Sequence, residues 1–176
     1  MRMERVRSRI FQYDESLFYH FNGHQGFLLS FFHMITHLGG ARFTISSMVL
    51  VYLLADQESL LRQTAVISML ALTLSHLMAV GVKRMVKRIR PYAALPKANL
   101  YGHQFKDHSF PSGHTTAIFS ITVPFMVTYP AFMIILLPVS LLTALSRVVL
   151  GVHYPSDILA GFFLGTVTAV VLLINF

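Results

Sequence analysis

Long unbroken apolar runs, not an alternation of apolar and polar positions, dominate this chain. Residues 42–55, 64–82, 114–129, 131–150 and 158–176 contain only Arg42 and Arg147 as charged side chains. A helix needs about 20 apolar residues to cross roughly 30 Å of hydrocarbon, so each run reads as a membrane span, the first completed by its neighbours. Ahead of them, residues 4–20 place Val6, Ile10, Phe11, Leu17 and Phe18, with Phe21 just beyond, on one side of a helix and arginines beside it. That pattern predicts an amphipathic helix lying in the membrane interface. Residues 27–38 would make a helix of only about 18 Å, expected in the interface or half-inserted, and Gly39-Gly40 ends it. The predicted fold is an all-α polytopic membrane helix bundle of about five spans plus an N-terminal interfacial helix. It is expected to be a single domain over residues 1–176, with an interfacial region at 1–40 and a helical core at 41–176.

The polar breaks organise the rest. Asp56-Gln57-Glu58 and Tyr129-Pro130 are tight connections, whereas residues 83–110 form the one long polar loop. Five spans would put the amino terminus, that loop and the 151–157 turn on one face, and residues 56–63, 129–130 and the carboxyl terminus on the other. Gly161 and Gly165 are four apart, a spacing of small residues that lets helices approach closely, though it is common in apolar helices.

Composition narrows the partners. With 55% hydrophobic and 12% charged residues and a mean hydropathy of +0.62, the bilayer is the natural solvent. The excess of 14 basic over 7 acidic side chains flanks apolar spans, which favours anionic head groups or a phosphorylated substrate over nucleic acid. There is no cysteine, which excludes disulfides and thiolate metal sites. The basic start is followed at residues 10–20 by Gln12, Asp14, Glu15 and His20 among aromatics, unlike a signal peptide, so no processing is expected.

Three clusters carry candidate chemistry. Lys83 and Arg90 are close to two helical turns apart; if the helix continues through Ile89, they and Lys87 share a side while Arg84 and Arg88 point elsewhere, and Pro91 ends it. Alone, the cluster reads equally well as a positive stop at the membrane border. Phe110-Pro111-Ser112-Gly113-His114 precedes an apolar run: Ser112 suits a helix cap, the unpaired N–H groups of the first turn attract an anion, and Gly113 admits it closely. By itself this is more often a plain helix start. Third, Arg147 at the edge of a span calls for a polar cavity. Four residues separate His153 from Asp157, so the carboxylate can reach back to one ring nitrogen and leave the other, with its lone pair, facing the cavity.

Together, Lys83-x6-Arg90-Pro91, Pro111-Ser112-Gly113-His114 and Ser146-Arg147-x5-His153-x3-Asp157 resemble the complete three-part signature of the type 2 phosphatidic acid phosphatase (PAP2) and vanadium haloperoxidase superfamily. The resemblance implies a six-helix core, of which an initial span before residues 12–40 is not seen here. It implies that His153 attacks phosphorus and becomes phosphohistidine, supported by Asp157, and that His114 protonates the leaving oxygen. Lys83, Arg90 and Arg147, with the Ser112 hydroxyl and the Gly113 N–H, would hold the phosphoryl oxygens. The implied substrate is a lipid phosphate, either a glycerophospholipid phosphate such as phosphatidylglycerophosphate or a polyprenyl diphosphate such as undecaprenyl diphosphate. Many polyprenyl diphosphatases of the family carry aspartate at the position of Gly113, which tilts the expectation toward a broad lipid phosphatase.

No metal or other cofactor is expected: three cations and a helix amino terminus offset a phosphate dianion, and the histidines and acids lack zinc-ligand spacing. His20, His24, His33, His37 and His76 read as interfacial or packing residues, and His103 and His108 receive no role. Two other readings share these residues. A vanadate-dependent peroxidase is disfavoured by a chain almost wholly within the membrane, and a non-enzymatic binder of anionic lipid has no use for His153. The resemblance puts the active face of this multi-pass cell-membrane protein outside the cytoplasm. All of the 14 Lys and Arg except Arg62 lie on that same predicted face, which the positive-inside rule assigns to the cytoplasm.

Overall fold

A computed structural model describes the backbone of residues 2–176 and the side chains from residue 11 onward, so the expected roles of Val6 and Ile10 lie outside the described residues. Eight α-helices follow one another: α1 (Arg2–Phe21), α2 (Phe27–Ile35), α3 (Ala41–Leu54), α4 (Leu60–Val86), α5 (Pro91–Ala94), α6 (Gly113–Thr128), α7 (Met133–Val149) and α8 (Pro155–Asn175). Short 3₁₀ turns, Thr36–Gly39 and Pro130–Phe132, precede α3 and α7. Every apolar run of the sequence is a helix, but span length divides them. Three segments, Leu60–Ala94, Pro130–Val149 and Pro155–Asn175, are long and apolar enough to cross a membrane; a fourth is possible if Phe27–Gly39 and Ala41–Leu54, bent by 54°, count as one.

Two of the five expected spans are shorter than the others, α3 with 14 residues and α6 with 16. With 16 residues α6 is about 24 Å long, and everything from Thr115 to Met126 is buried. It is the axis of the bundle, packed by α4, α7 and α8. Shielded by protein, it has no lipid thickness to match. Its polar side chains are satisfied inside: Ser120 shares a 2.7 Å hydrogen bond with Ser75 of α4, and Thr122 one of 3.0 Å with Ser140 of α7. Small residues set the spacing to α8, where an added Cβ at Gly161 would stand 2.7 Å from the Ser112 carbonyl oxygen and one at Gly165 2.5 Å from that of Thr116.

Helix ends cluster at one end of this bundle. The N-cap of α6 is Ser112, whose side chain accepts from the Thr115 N–H. α4 stops at Val86 because Lys87 turns left-handed at φ 50°. Between α7 and α8, Gly151 at φ 80° has the Asn99 carbonyl where a Cβ would sit, so both the backbone angle and the close approach require glycine. Asn22 at the end of α1 clamps this corner, donating to the Asn99 and Val149 carbonyls at 2.8 and 3.0 Å and accepting from the Asn99 N–H at 2.7 Å. α1 itself docks through Asp14 and Phe18, both buried, leaving Tyr13 and Leu17 exposed.

Two glycines make a stability test. Gly165→Ala is expected to destabilise the detergent-solubilised protein by about 1–3 kcal/mol through overpacking against α6. Gly81→Ala on α4, where an added Cβ meets nothing within 4 Å, is expected to leave stability unchanged or raise it by up to about 1 kcal/mol. Chemical unfolding followed by circular dichroism reads both.

Candidate active site

The clustered helix ends converge on a cavity of about 470 Å³. Lys83 comes from the last turn of α4, Arg90 from the cap of α5, Gly113 and His114 from the first turn of α6, Arg147 from the last turn of α7, and His153 from the turn before α8. All six line it. The two other residues of the expected site stand behind the wall. Ser112 is fully buried, its hydroxyl oxygen accepting from the Thr115 N–H and hydroxyl, and Asp157 is fully buried behind His153.

Each cation is held in place. The Lys83 ammonium donates to the Asp107 carboxylate and the His108 carbonyl, both at 2.7 Å. Arg90 donates from Nη2 to Asp107 Oδ1 at 2.7 Å, from Nε to the Asp107 carbonyl at 3.0 Å and from Nη1 to the Val152 carbonyl at 2.9 Å. Arg147, 4% exposed, donates from Nη1 to the Thr36 hydroxyl at 2.7 Å while its Nε has no protein partner. The Phe105 ring lies under both guanidinium groups, 4.6 Å from Arg90 and 5.5 Å from Arg147. Tyr92 fixes that ring's backbone, donating to the Phe105 carbonyl at 2.8 Å and accepting from its N–H at 3.2 Å.

His153 is oriented at both nitrogens. Its Nδ1 faces Asp157 Oδ2 at 3.3 Å, and its Nε2 faces Arg90 Nη1 at 3.2 Å. An arginine only donates, so Nε2 carries the lone pair, and Nδ1 keeps the proton and donates a hydrogen bond to the carboxylate. Burial, with Arg90, Arg147 and Lys83 nearby, drives the imidazole well below its ordinary pKa and keeps it neutral. The Tyr154 N–H, donating to Asp157 Oδ2 at 2.9 Å, steadies the carboxylate.

Several residues escaped the sequence reading. Asp107, which bridges Lys83 and Arg90, is the only acid between Lys83 and Phe110, a signal that was available. The expectation for Arg88 is overturned. It rested on a helix continuing through Ile89, but the left-handed turn at Lys87 redirects the chain, and Arg88 points inward to Asp157 Oδ1 at 2.8 Å and Asp14 Oδ2 at 2.7 Å. The same turn removes Lys87 from the line of Lys83 and Arg90. His76, read as a packing residue, lines the cavity wall. Gly39 abuts His114, whose carbonyl would stand 2.9 Å from an added Cβ, so the glycine pair that ends the α2 segment also makes room for that histidine. Among the described residues no three His, Asp or Glu side chains are grouped as metal ligands.

A family model for the PAP2 superfamily matches residues 64–176. A lipid A 1-phosphatase of Rhizobium johnstonii is 33% identical over 96 residues, 52% of this chain and 39% of that protein. An undecaprenyl-diphosphatase of Sulfolobus acidocaldarius is 34% identical over 85 residues, 48% of this chain and 41% of that one. The chain thus spans about two fifths of the length of these relatives. The crystal structure of a transmembrane PAP2-type phosphatidylglycerolphosphate phosphatase from Bacillus subtilis superposes with a TM-score of 0.78 at 25% identity, covering 95% of this chain and 86% of that one.

The Asp107 bridge has a pH signature. Burial pushes this carboxyl up, but the hydrogen bonds and charges of Lys83 and Arg90 outweigh it and hold it at about 2, below the ordinary 3.8. A depressed carboxyl stabilises the fold above its unfolded pKa and loses that contribution as pH falls through the folded one. The stability difference between the wild type and Asp107→Asn is expected to be constant above about pH 4 and to shrink toward pH 2. Urea unfolding across that range measures it; a difference independent of pH would mean that Asp107 contributes no charge there.

Proposed function

The chain belongs to the PAP2 superfamily, and on that premise we propose that it is an integral-membrane lipid phosphatase working through phosphohistidine without a metal. One observation carries the mechanism: a buried histidine lines a cavity with Lys83, Arg90 and Arg147, its Nδ1 held by Asp157 and its Nε2 lone pair turned toward Arg90 on the cavity wall. Nε2 of His153 attacks phosphorus, and the bond from phosphorus to the lipid oxygen breaks with its electron pair leaving on that oxygen. The phosphate dianion, once beside His114, favours its protonated form, and that imidazolium supplies the proton. The three cations and the first-turn N–H groups of α6 meet the charge on the phosphoryl oxygens, which is where such a transition state needs it. Water then attacks phosphorus, His114 takes its proton, and His153 departs as the leaving group. Ser112 contributes by holding the first turn of α6 in place.

The cavity supports a lipid substrate. Away from the cations its walls are Ala41, Thr44 and Ile45 of α3 and Leu72, Leu77 and Val80 of α4, an apolar slot suited to the tail attached to the phosphate. The substrate is a glycerophospholipid phosphate or a polyprenyl diphosphate. We place the active face outside the cytoplasm. The placement rests on the family resemblance: Lys83, Arg88, Arg90 and Arg147 are engaged with protein groups and are no topological anchors, but they are four of the 13 basic side chains on that face, and the other nine still oppose Arg62 alone.

Purified protein is expected to release phosphate from phosphatidic acid, phosphatidylglycerophosphate or undecaprenyl diphosphate in excess chelator. His153→Ala should fall by at least about 10³-fold, as loss of a nucleophile does. Activity lost on chelation and restored by a divalent ion would refute the metal-free mechanism. Because the chain has no cysteine, Lys106→Cys supplies a unique thiol in the active-side loop. Labelling by a membrane-impermeant maleimide in intact cells is expected; labelling only after lysis would reverse the orientation.

A further inference from the structure

Among the described side chains of α1, Asp14 is the one hydrogen-bonded to the residues behind His153. Asp14, 4% exposed, accepts from Arg88 Nη2 at 2.7 Å and from the Ser156 hydroxyl at 2.5 Å on Oδ2, and from the Ser156 N–H at 2.9 Å on Oδ1. Ser156 is in the first turn of α8, whose N–H groups have no partner within the helix, so Asp14 caps α8 from another helix. Arg88 donates from Nη1 to Asp157 Oδ1 at 2.8 Å and to the Ser156 hydroxyl at 2.7 Å, with its guanidinium 3.9 Å above the Tyr154 ring. An unbroken chain of contacts thus runs from Asp14 through Arg88 and Asp157 to His153.

The charges along it explain why a second acid is present. With His153 neutral, Asp157 and Arg88 cancel, and Asp14 leaves the group with one negative charge. When Nε2 bonds to phosphorus while Nδ1 keeps its proton, the ring becomes positive and the group becomes neutral. Without Asp14 that positive ring would form against an already neutralised carboxylate, in a buried site where uncompensated charge is costly. Resting on the phosphohistidine reading above, we propose that Asp14 is a positioning residue that offsets Arg88, so that Asp157 keeps its full charge for His153. The arrangement makes phosphoryl transfer depend on the docking of α1.

Asp14→Asn removes the charge and keeps an oxygen that can accept from the Ser156 N–H, with its amide NH2 then facing Arg88. On the best of the three lipid phosphates, kcat is expected to fall about 10–100-fold with KM within about threefold. Adding Arg88→Met restores the single negative charge on Asp157, so Asp14→Asn/Arg88→Met is expected to regain at least about tenfold in kcat over the single variant. A purely structural role predicts the opposite, a double variant no better than the single one. Wild-type kcat in Asp14→Asn, or no recovery in the double variant, overturns the proposal. Should Asp14→Asn fail to fold, the double variant decides: kcat within about tenfold of wild type supports the charge role, and a loss beyond about 100-fold sinks it. His153→Ala, run in parallel, separates the two levels. Activity surviving there refutes the phosphohistidine reading itself, whereas activity lost there but intact in Asp14→Asn refutes only the role of Asp14.

Discussion

Three cations gathered around one cavity repel one another and have given up hydration, and the surrounding structure answers both costs. Arg90 has the Val152 and Asp107 carbonyls and the Asp107 carboxylate, Lys83 has the same carboxylate and the His108 carbonyl, and Arg147 has the Thr36 hydroxyl. These partners come from the long loop, from the turn before α8 and from the 3₁₀ turn before α3, so the cationic site ties together segments far apart in the chain. A phosphate dianion entering the cavity meets donors already aimed, with little reorganisation left to make.

Behind His153 a second layer works with alternating sign. Asp157 takes Arg88 on one oxygen and the His153 ring and Tyr154 N–H on the other, and Asp14 takes Arg88 and the first turn of α8. The two layers meet at His153, whose Nδ1 belongs to the acidic side and whose Nε2 to the cationic side. That asymmetry fixes the tautomer. The bundle supplies the rigidity: α6 is enclosed from Thr115 to Met126, and Gly161 and Gly165 bring α8 against it so that Ser112 and Asp157 share a backbone hydrogen bond of 3.0 Å.

The helices were largely legible because an apolar run can satisfy its backbone in a membrane only by coiling. Their rank was less so. Nothing local distinguishes the apolar run of α6 from those of α7 and α8, yet α6 is buried from Thr115 to Met126 while they leave apolar side chains such as Ile134 and Phe163 exposed. The site showed the same division. Spacing singled out Lys83, Arg90, Gly113, His114, Arg147 and His153, which the fold brings to one cavity, but it missed Asp107 and misdirected Arg88. The error at Arg88 traces to one residue, since a helix carried past Val86 points Arg88 outward and the left-handed Lys87 points it in.

By itself, then, the sequence determined which stretches are helical, that they belong in a bilayer, and which side chains have the chemistry and spacing to handle a phosphate. These are local properties, set by apolar content and by the 3.6-residue repeat within a helix. Only the tertiary structure decided which charge faces which. Asp14 and Arg88 are 74 residues apart, and Arg88 and Asp157 are 69 apart. A buried carboxylate takes whatever cation the packing of distant helices and the angle of one turn bring within reach, and no local pattern records that choice.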